Sequence, residues 1–309
     1  MRAAAVILVA ACSGAVKRAP APAPMAAAAI DPMSAASMQR DVAWLCDDAR
    51  AGRGSLSPES LATATWLEHE LAAAHLDVTT QEVPDTHGQK NVIAIYPGKA
   101  RGKALLLVAH YDHLGRDERG LIYRGADDNA SGVAVLLAVA RDLAAKRDVD
   151  RPVVFLFPAA EELGLLGSHA YADDPRVPLA QTRGVINLDM VGRHFFELAV
   201  DRDAAIGAVG LADDPAFGDA ARKAAKDAGL DLIETSPPLL YAIGEAFRSD
   251  DWSLRAPSLP ALHFSTGLHD DYHRATDTPD KLVPAQLERT ARLVRGIVTQ
   301  MDAETDRER

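Results

Sequence analysis

Ala104-Leu105-Leu106-Leu107-Val108-Ala109-His110 places six apolar residues in a row before a histidine. A strand with one wet face alternates polar and apolar side chains. A run that is apolar at every position is buried on both faces, like the central strand of a sheet covered by helices. Pro152 to Phe157 and Gly184 to Leu188 read the same way. Between them, helices are predicted over Gly132–Lys146 and, more briefly, Leu163–Tyr171. Upstream, a helix is predicted from about Ala35 to Asp48. A second runs from Ser57 to about His75, with Pro58 and Glu59 in its first turn. Val78–Val83 and Asn91–Tyr96 resemble a meander. Downstream, Leu198–Val200, Ala216–Ala228 and Leu259–Phe264 suggest strand, helix and strand, and Pro284–Met301 forms a last helix over one face. Alternating buried strands and helices predict an α/β fold, a three-layer sandwich around a mostly parallel, mixed β-sheet.

The chain of 309 residues is long enough for one large domain, and 48 % hydrophobic with 25 % charged residues is ordinary for a globular protein. A formal net charge of −11 argues against nucleic acid and anionic membrane surfaces as partners. Only two cysteines occur, Cys12 and Cys46, so no disulfide framework holds the fold. Cys46 lies in a helical-looking stretch, Met38 to Cys46, and reads as a small buried hydrophobe. Cys12 ends an apolar run, Ala3 to Ala11, that follows Arg2; this is the layout of a secretory signal, too short to span a membrane as a mature helix. Its end, Val9-Ala10-Ala11-Cys12, resembles a bacterial lipobox, with Cys12 as the lipid-bearing first residue of an exported protein in the periplasm or outer membrane. An ordinary signal peptide and secretion are the alternative. Residues 13–36, rich in Ala and Pro, read as a tether. Residues 37–302 read as a single domain and 303–309 as a charged tail.

Open parallel sheets place ligands beyond the carboxyl ends of their strands. Here those ends carry His110-Tyr111-Asp112-His113, Glu161-Glu162 and Asn187-Leu188-Asp189. An acidic turn, Gly125-Ala126-Asp127-Asp128-Asn129-Ala130-Ser131-Gly132, lies between the first two. Late in the chain comes His269-Asp270-Asp271-Tyr272-His273-Arg274-Ala275-Thr276-Asp277. Each segment alone has an ordinary structural reading: a polar strand end, a charge complementing a helix dipole, a turn. Together they bring more carboxylates to one sheet edge than would tolerate each other without cations. Mixed His and carboxylate donors suit zinc better than calcium or magnesium, with cobalt or manganese as possible substitutes.

With these segments in this order, the chain resembles the cocatalytic zinc aminopeptidases of metallopeptidase family 28 over about Asp47 to Val294. That family includes secreted bacterial leucine aminopeptidases, glutamate carboxypeptidases and, more distantly, glutaminyl cyclases. The markers are the His-x-Asp turn, Gly-Ala-x-Asp-Asn-Ala-Ser-Gly, Glu-Glu-x-Gly-x-x-Gly-Ser, Asn-x-Asp-Met-x-Gly and Tyr-His-x-x-x-Asp-Thr. The resemblance implies a zinc-dependent exopeptidase (phosphorylase/hydrolase-like) fold, two Zn²⁺ ions and a peptide substrate. It implies that Asp128 bridges both metals, that His110 and Asp189 complete one site, and that Glu162 and His273 complete the other. Asp112 would accept a hydrogen bond from the His110 ring and fix its tautomer, and Glu161 would be the general base. A cis peptide between Asp128 and Asn129 is also implied.

Other features carry less. His69-Glu70 and His75 resemble a zincin fragment, but a six-residue spacing turns the second imidazole roughly 240° around a helix. His113 can line the site or stand outside it. Ser249-Asp250-Asp251 falls where the family often has Ser-Asp-His, so Asp251 departs from the pattern. No Gly-x-Ser-x-Gly elbow or phosphate-binding loop is present. Hydrolysis of N-terminal residues is the leading expectation. A carboxypeptidase or dipeptidase, a single-zinc glutaminyl cyclase and a noncatalytic binding protein are its rivals.

Overall fold

A computed structural model describes residues 30–197, 204–235, 248–255 and 259–304. The lipobox Cys12, most of the tether, the strand expected at Leu198–Val200 and residues 305–309 lie outside them. The Ser34 hydroxyl accepts a hydrogen bond from the Ser37 amide and so caps α1, Ala35–Leu45. Ser57 caps α2, Pro58–Ala73, in the same way, with Pro58 filling a first-turn position that needs no donor. Both helices stop short of their expected ends. Among the described residues no helix is long and apolar enough to cross a membrane.

An eight-stranded sheet follows, formed by β1 (Asp77–Glu82), β2 (Lys90–Tyr96), β3 (Ala104–Val108), β6 (Val153–Phe157), β7 (Thr182–Leu188), β8 (Ala205–Val209), β9 (Asp231–Thr235) and β10 (Ala261–Ser265). A separate two-stranded hairpin holds β4 (Gly115–Arg116) and β5 (Ile122–Tyr123). The spatial order in the large sheet is β1-β2-β6-β3-β7-β10-β8-β9. The four central strands β6, β3, β7 and β10 are mutually parallel, while β2 and β8 flank them antiparallel. Every residue of β3 and β6 is buried. Leu105 and Leu107 join one core with α3 (Gly132–Lys146) and α7 (Pro284–Asp302), and Leu106 and Val108 join a second core with Tyr171 and Leu254. This two-sided burial is why β3 carries no polar alternation. Each such side chain contributes roughly 1.5–3 kcal/mol of transfer free energy.

The helix expected from Leu163 begins instead at Leu166, as α4 (Leu166–Asp173). Gly164 and Leu165 both adopt left-handed backbone, with φ of +98° and +63°, and end a short 3-10 turn at Glu161–Leu163. That break aims the two glutamates at the sheet edge rather than into a continuous helix. The remaining helices are α5 (Pro215–Ala228), which packs against α7, and a single turn, α6 (Asp251–Leu254).

Candidate metal centre

The carboxyl ends of the four parallel strands supply the site. His110 and Asp112 follow β3, Glu161 and Glu162 follow β6, Asp189 follows β7, and His273 lies in the loop after β10. Asp128 enters from the turn that opens α3. All seven residues meet at one edge of the sheet.

The Asp128 turn is held from several sides. Asp277 accepts from the amides of Asp127 (2.9 Å) and Asp128 (3.2 Å). Asn129 donates to the Leu188 carbonyl at 2.8 Å, and its side-chain oxygen accepts from Gly132 and Met190 amides at 3.1 and 3.3 Å. Ser131 accepts from the Val191 amide (3.0 Å), and Asp127 accepts from Gly192 (2.7 Å). The turn is thus stitched to both sides of Asp189. Gly125 is left-handed with φ of +56°, and a Cβ there would fall 2.1 Å from the Asp128 carbonyl and 2.5 Å from the His113 ring. Only glycine fits that corner. The Asp128–Asn129 peptide is cis. The fully buried Arg53 guanidinium donates to the carbonyls of Tyr111 (2.8 Å) and Gly125 (2.9 Å), tying the end of β3 to the start of the turn.

Asp128 divides its two oxygens. Its Oδ1 lies 3.5 Å from His110 Nε2, which is also 3.5 Å from Asp189 Oδ1. Its Oδ2 lies 3.2 Å from His273 Nε2, which is 3.1 Å from Glu162 Oε2. Donors bound at zinc distances of roughly 2.0–2.1 Å in a tetrahedron stand about 3.3–3.4 Å apart. Both groups have that spacing. His110 Nε2 and Asp189 Oδ1 are buried without any hydrogen-bond partner, an expensive arrangement for polar atoms unless something else binds them. The donor set therefore fits zinc: among the described residues His110 and Asp189 gather with Asp128 or Glu161, and Glu162 and Asp128 gather with His273 or His113.

His113, left open by sequence, is fully buried in the site. Its Nδ1 lies 2.8 Å from Glu162 Oε1, the oxygen that Glu162 does not turn toward His273, and 3.7 Å from Asp128 Oδ2. One short and one long contact mark a hydrogen bond that orients Glu162, whereas His273 is spaced evenly between two carboxylates. Asp112 also differs from expectation. Its carboxylate lies 3.7 Å from His110 Nδ1, and the ring's shorter contact, 3.3 Å, is to the Asp112 carbonyl. The carboxylate instead accepts from Ser55 Oγ (2.6 Å) and from the Glu161 and Glu162 amides (3.1 and 3.4 Å). It locks the glutamate turn to the end of β3. Asp251 is committed elsewhere, to Arg255 (3.1 Å) and His263 (3.2 Å).

Charge crowding moves the protonation equilibria. Burial pulls His273 down, but hydrogen bonds to Asp128 and Glu162 outweigh it and raise it to about 10. His110 is likewise raised well above its usual value: burial opposes, and the charges of Glu161, Asp112 and Asp189 prevail. Burial, reinforced by Asp189, Asp250 and Glu162, raises the Glu161 carboxyl well above the ordinary range. Both shifts favour the protonated imidazole in metal-free protein, and an imidazolium cannot ligate a metal. Protons then compete with zinc, so affinity rises with pH until it passes the raised values. Zinc titrations by calorimetry at pH 7, in buffers of differing ionisation enthalpy, are expected to show net proton release. Uptake of zinc without any proton release would remove His110 and His273 from the ligand set.

The comparisons with known proteins agree with this geometry. An Escherichia coli K12 protein of unassigned function, YfbL, is 30 % identical over 264 residues, covering 77 % of this chain and 78 % of its own length. Leucine aminopeptidase 1 of Aspergillus oryzae is 28 % identical over 164 residues, which is 49 % of this chain but only 42 % of the fungal one. Among solved structures, BSAP, a zinc aminopeptidase from Bacillus subtilis, superposes with a TM-score of 0.72 at 17 % identity, covering 88 % of this chain and 96 % of that one. This last likeness establishes the fold. The sequence pattern of peptidase family M28 is matched over residues 91–298, from β2 into α7 and across all five motif segments, and the chain belongs to that family.

Proposed function

We propose that the chain is a dizinc aminopeptidase that removes N-terminal residues from peptides, with Glu161 as general base. The reading is carried by the division of Asp128 between two imidazole–carboxylate groups. Its leucine aminopeptidase relatives support the same direction. His110, Asp128 and Asp189 would hold one ion, and Asp128, Glu162 and His273 the other. When bound, such a pair supplies Lewis acidity that polarises a carbonyl and acidifies water. Glu161 Oε2 lies 4.0 Å from His110 Nε2, close to the His110–Asp189 group but outside the four shorter contacts that define the two groups. It takes the proton of the attacking water and returns it to the leaving amine as the C–N bond breaks, giving a carboxylate and a free amine. Asp112, through the Glu161 and Glu162 amides, fixes the backbone from which both glutamates project.

The test is a panel of aminoacyl-arylamides and N-blocked peptides with and without chelator. Substrates with a free N-terminal amine should be hydrolysed, blocked ones should not, and zinc should restore chelator-treated protein. Cleavage of blocked peptides at a free C-terminus would replace this reading with carboxypeptidase activity. No hydrolysis by zinc-loaded protein would leave a noncatalytic member of the family.

A further inference from the structure

Among the described residues seven large hydrophobic side chains are exposed, and three of them, Leu56, Leu114 and Leu163, line one cleft of about 560 Å³. Their exposures are 44 %, 39 % and 48 %. Single exposed leucines are commonplace, but three converging on one concavity mark a binding surface. The inner wall of the cleft is Glu162 and His113. Each leucine is also one residue away from a side chain fixed in the metal centre. Leu56 follows Ser55, which donates to Asp112 at 2.6 Å; Leu114 follows His113; and Leu163 follows Glu162. The leucines are therefore held in register with the site rather than carried on an independent loop. A volume of this size falls within the roughly 300–1,000 Å³ of small-ligand sites.

We propose that this cleft receives an apolar side chain of the peptide substrate on the C-terminal side of the scissile bond, an inference that rests on the peptidase reading. The leaving nitrogen is the atom that Glu161 protonates, and Leu163 lies two residues beyond Glu161. The departing portion is accordingly assigned to the side of the glutamate turn on which Glu162, the neighbour of Glu161, lines the cleft. An exopeptidase must also let the rest of its substrate leave through an open groove, and this cleft is open to solvent along its leucines. Arg116 and Glu59 stand at its edge as a polar rim.

The test uses binding, so it does not depend on turnover. Zinc-loaded Glu161→Gln protein is titrated by calorimetry with tripeptides Leu-X-Gly, where X is Leu, Ser or Asp. X = Leu should bind at least about tenfold more tightly than X = Ser, in keeping with the 10–200-fold that a single methylene can be worth in an apolar pocket. Adding Leu56→Ser and Leu114→Ser should bring the two within about twofold, and Leu56→Arg should shift preference toward X = Asp. All three positions are more than one-third exposed, so the fold should survive, and an unchanged thermal midpoint checks it. The proposal is overturned by equal binding of the three tripeptides or by a preference that survives both substitutions. If the apolar preference holds and the leucine variants erase it while the parent chain cleaves N-blocked peptides instead, the subsite stands and the aminopeptidase reading falls; a parent chain that cleaves no peptide overturns both.

Discussion

Glu161→Gln is expected to lower turnover by about 10²–10⁴-fold, the usual worth of general acid–base assistance, while leaving the zinc content unchanged. The substitution is nearly isosteric. The contact that fixes this residue's backbone, from the Glu161 amide to Asp112, does not involve the altered atoms. A glutamine amide cannot carry a proton from water to the leaving nitrogen at neutral pH. A second consequence separates this variant from a merely damaged one. Burial and the neighbouring Asp189, Asp250 and Glu162 hold the Glu161 carboxyl well above its ordinary pKa. A carboxyl with a raised folded value contributes stability at low pH, and that contribution is lost as pH climbs through the raised value. Glutamine stays neutral throughout, so the metal-free variant should melt higher than the metal-free parent at neutral pH. Steady-state kinetics with elemental analysis, and thermal melts of both apo proteins, read these effects. Near-normal turnover with full zinc would remove Glu161 from the chemistry.

The architecture was legible where burial leaves a continuous apolar signature. β3 and β6 are covered on both faces and their unbroken apolar runs could be read directly, while β7 shows a shorter apolar core interrupted by Asn187. β8, Ala205–Val209, and β9, Asp231–Thr235, lie beyond β10 at the far side of the sheet. Alanine and glycine in β8, and Asp231 and Glu234 in β9, give a weak strand signal. The start of α4 was misplaced because periodicity does not report the left-handed pair Gly164–Leu165.

The site shows the same division. The motif segments placed the candidate ligands on strand ends, and topology brought those ends together. Sequence did not reveal which contacts hold them. Asn129 works across the sheet edge on Leu188 and Met190, Asp277 on a turn 149 positions away, and Arg53 on carbonyls of two separate segments. Each relation spans more chain than any spacing rule reaches. Asp277 and Asn129 already lay within the motifs, so their types were visible without their tasks. His113 was undecided because its value depends on the rotamer of Glu162.

Asp128→Asn is expected to remove both zinc ions, whereas Asp189→Asn and Glu162→Gln should each remove one. The difference follows from how the oxygens are shared. Asp189 meets only the His110 group and Glu162 only the His273 group, but Asp128 contributes one oxygen to each. Asparagine keeps the size of the side chain, and the Asp277 contact to the residue 128 amide is a backbone one, so the turn should persist. What disappears is the negative charge and one of the two acceptor oxygens, whose place is taken by an NH₂ that can only donate. One imidazole–carboxylate pair would then face a donor instead of an acceptor, and the other would hold its ion through a neutral carbonyl. Removing groups that only support a ligand typically costs about 10–100-fold in metal affinity, so a shared ligand should cost more than that at both positions. Activity should fall to background. Elemental analysis after dialysis, on correctly folded variants with matched circular dichroism, reads the pattern as two ions in the parent, none in Asp128→Asn and one in each of the others. Two ions retained by Asp128→Asn would show that Asp128 bridges nothing. Loss of both ions from all three variants would mean that the two positions fill only together, and would leave the bridging carboxylate without a special role.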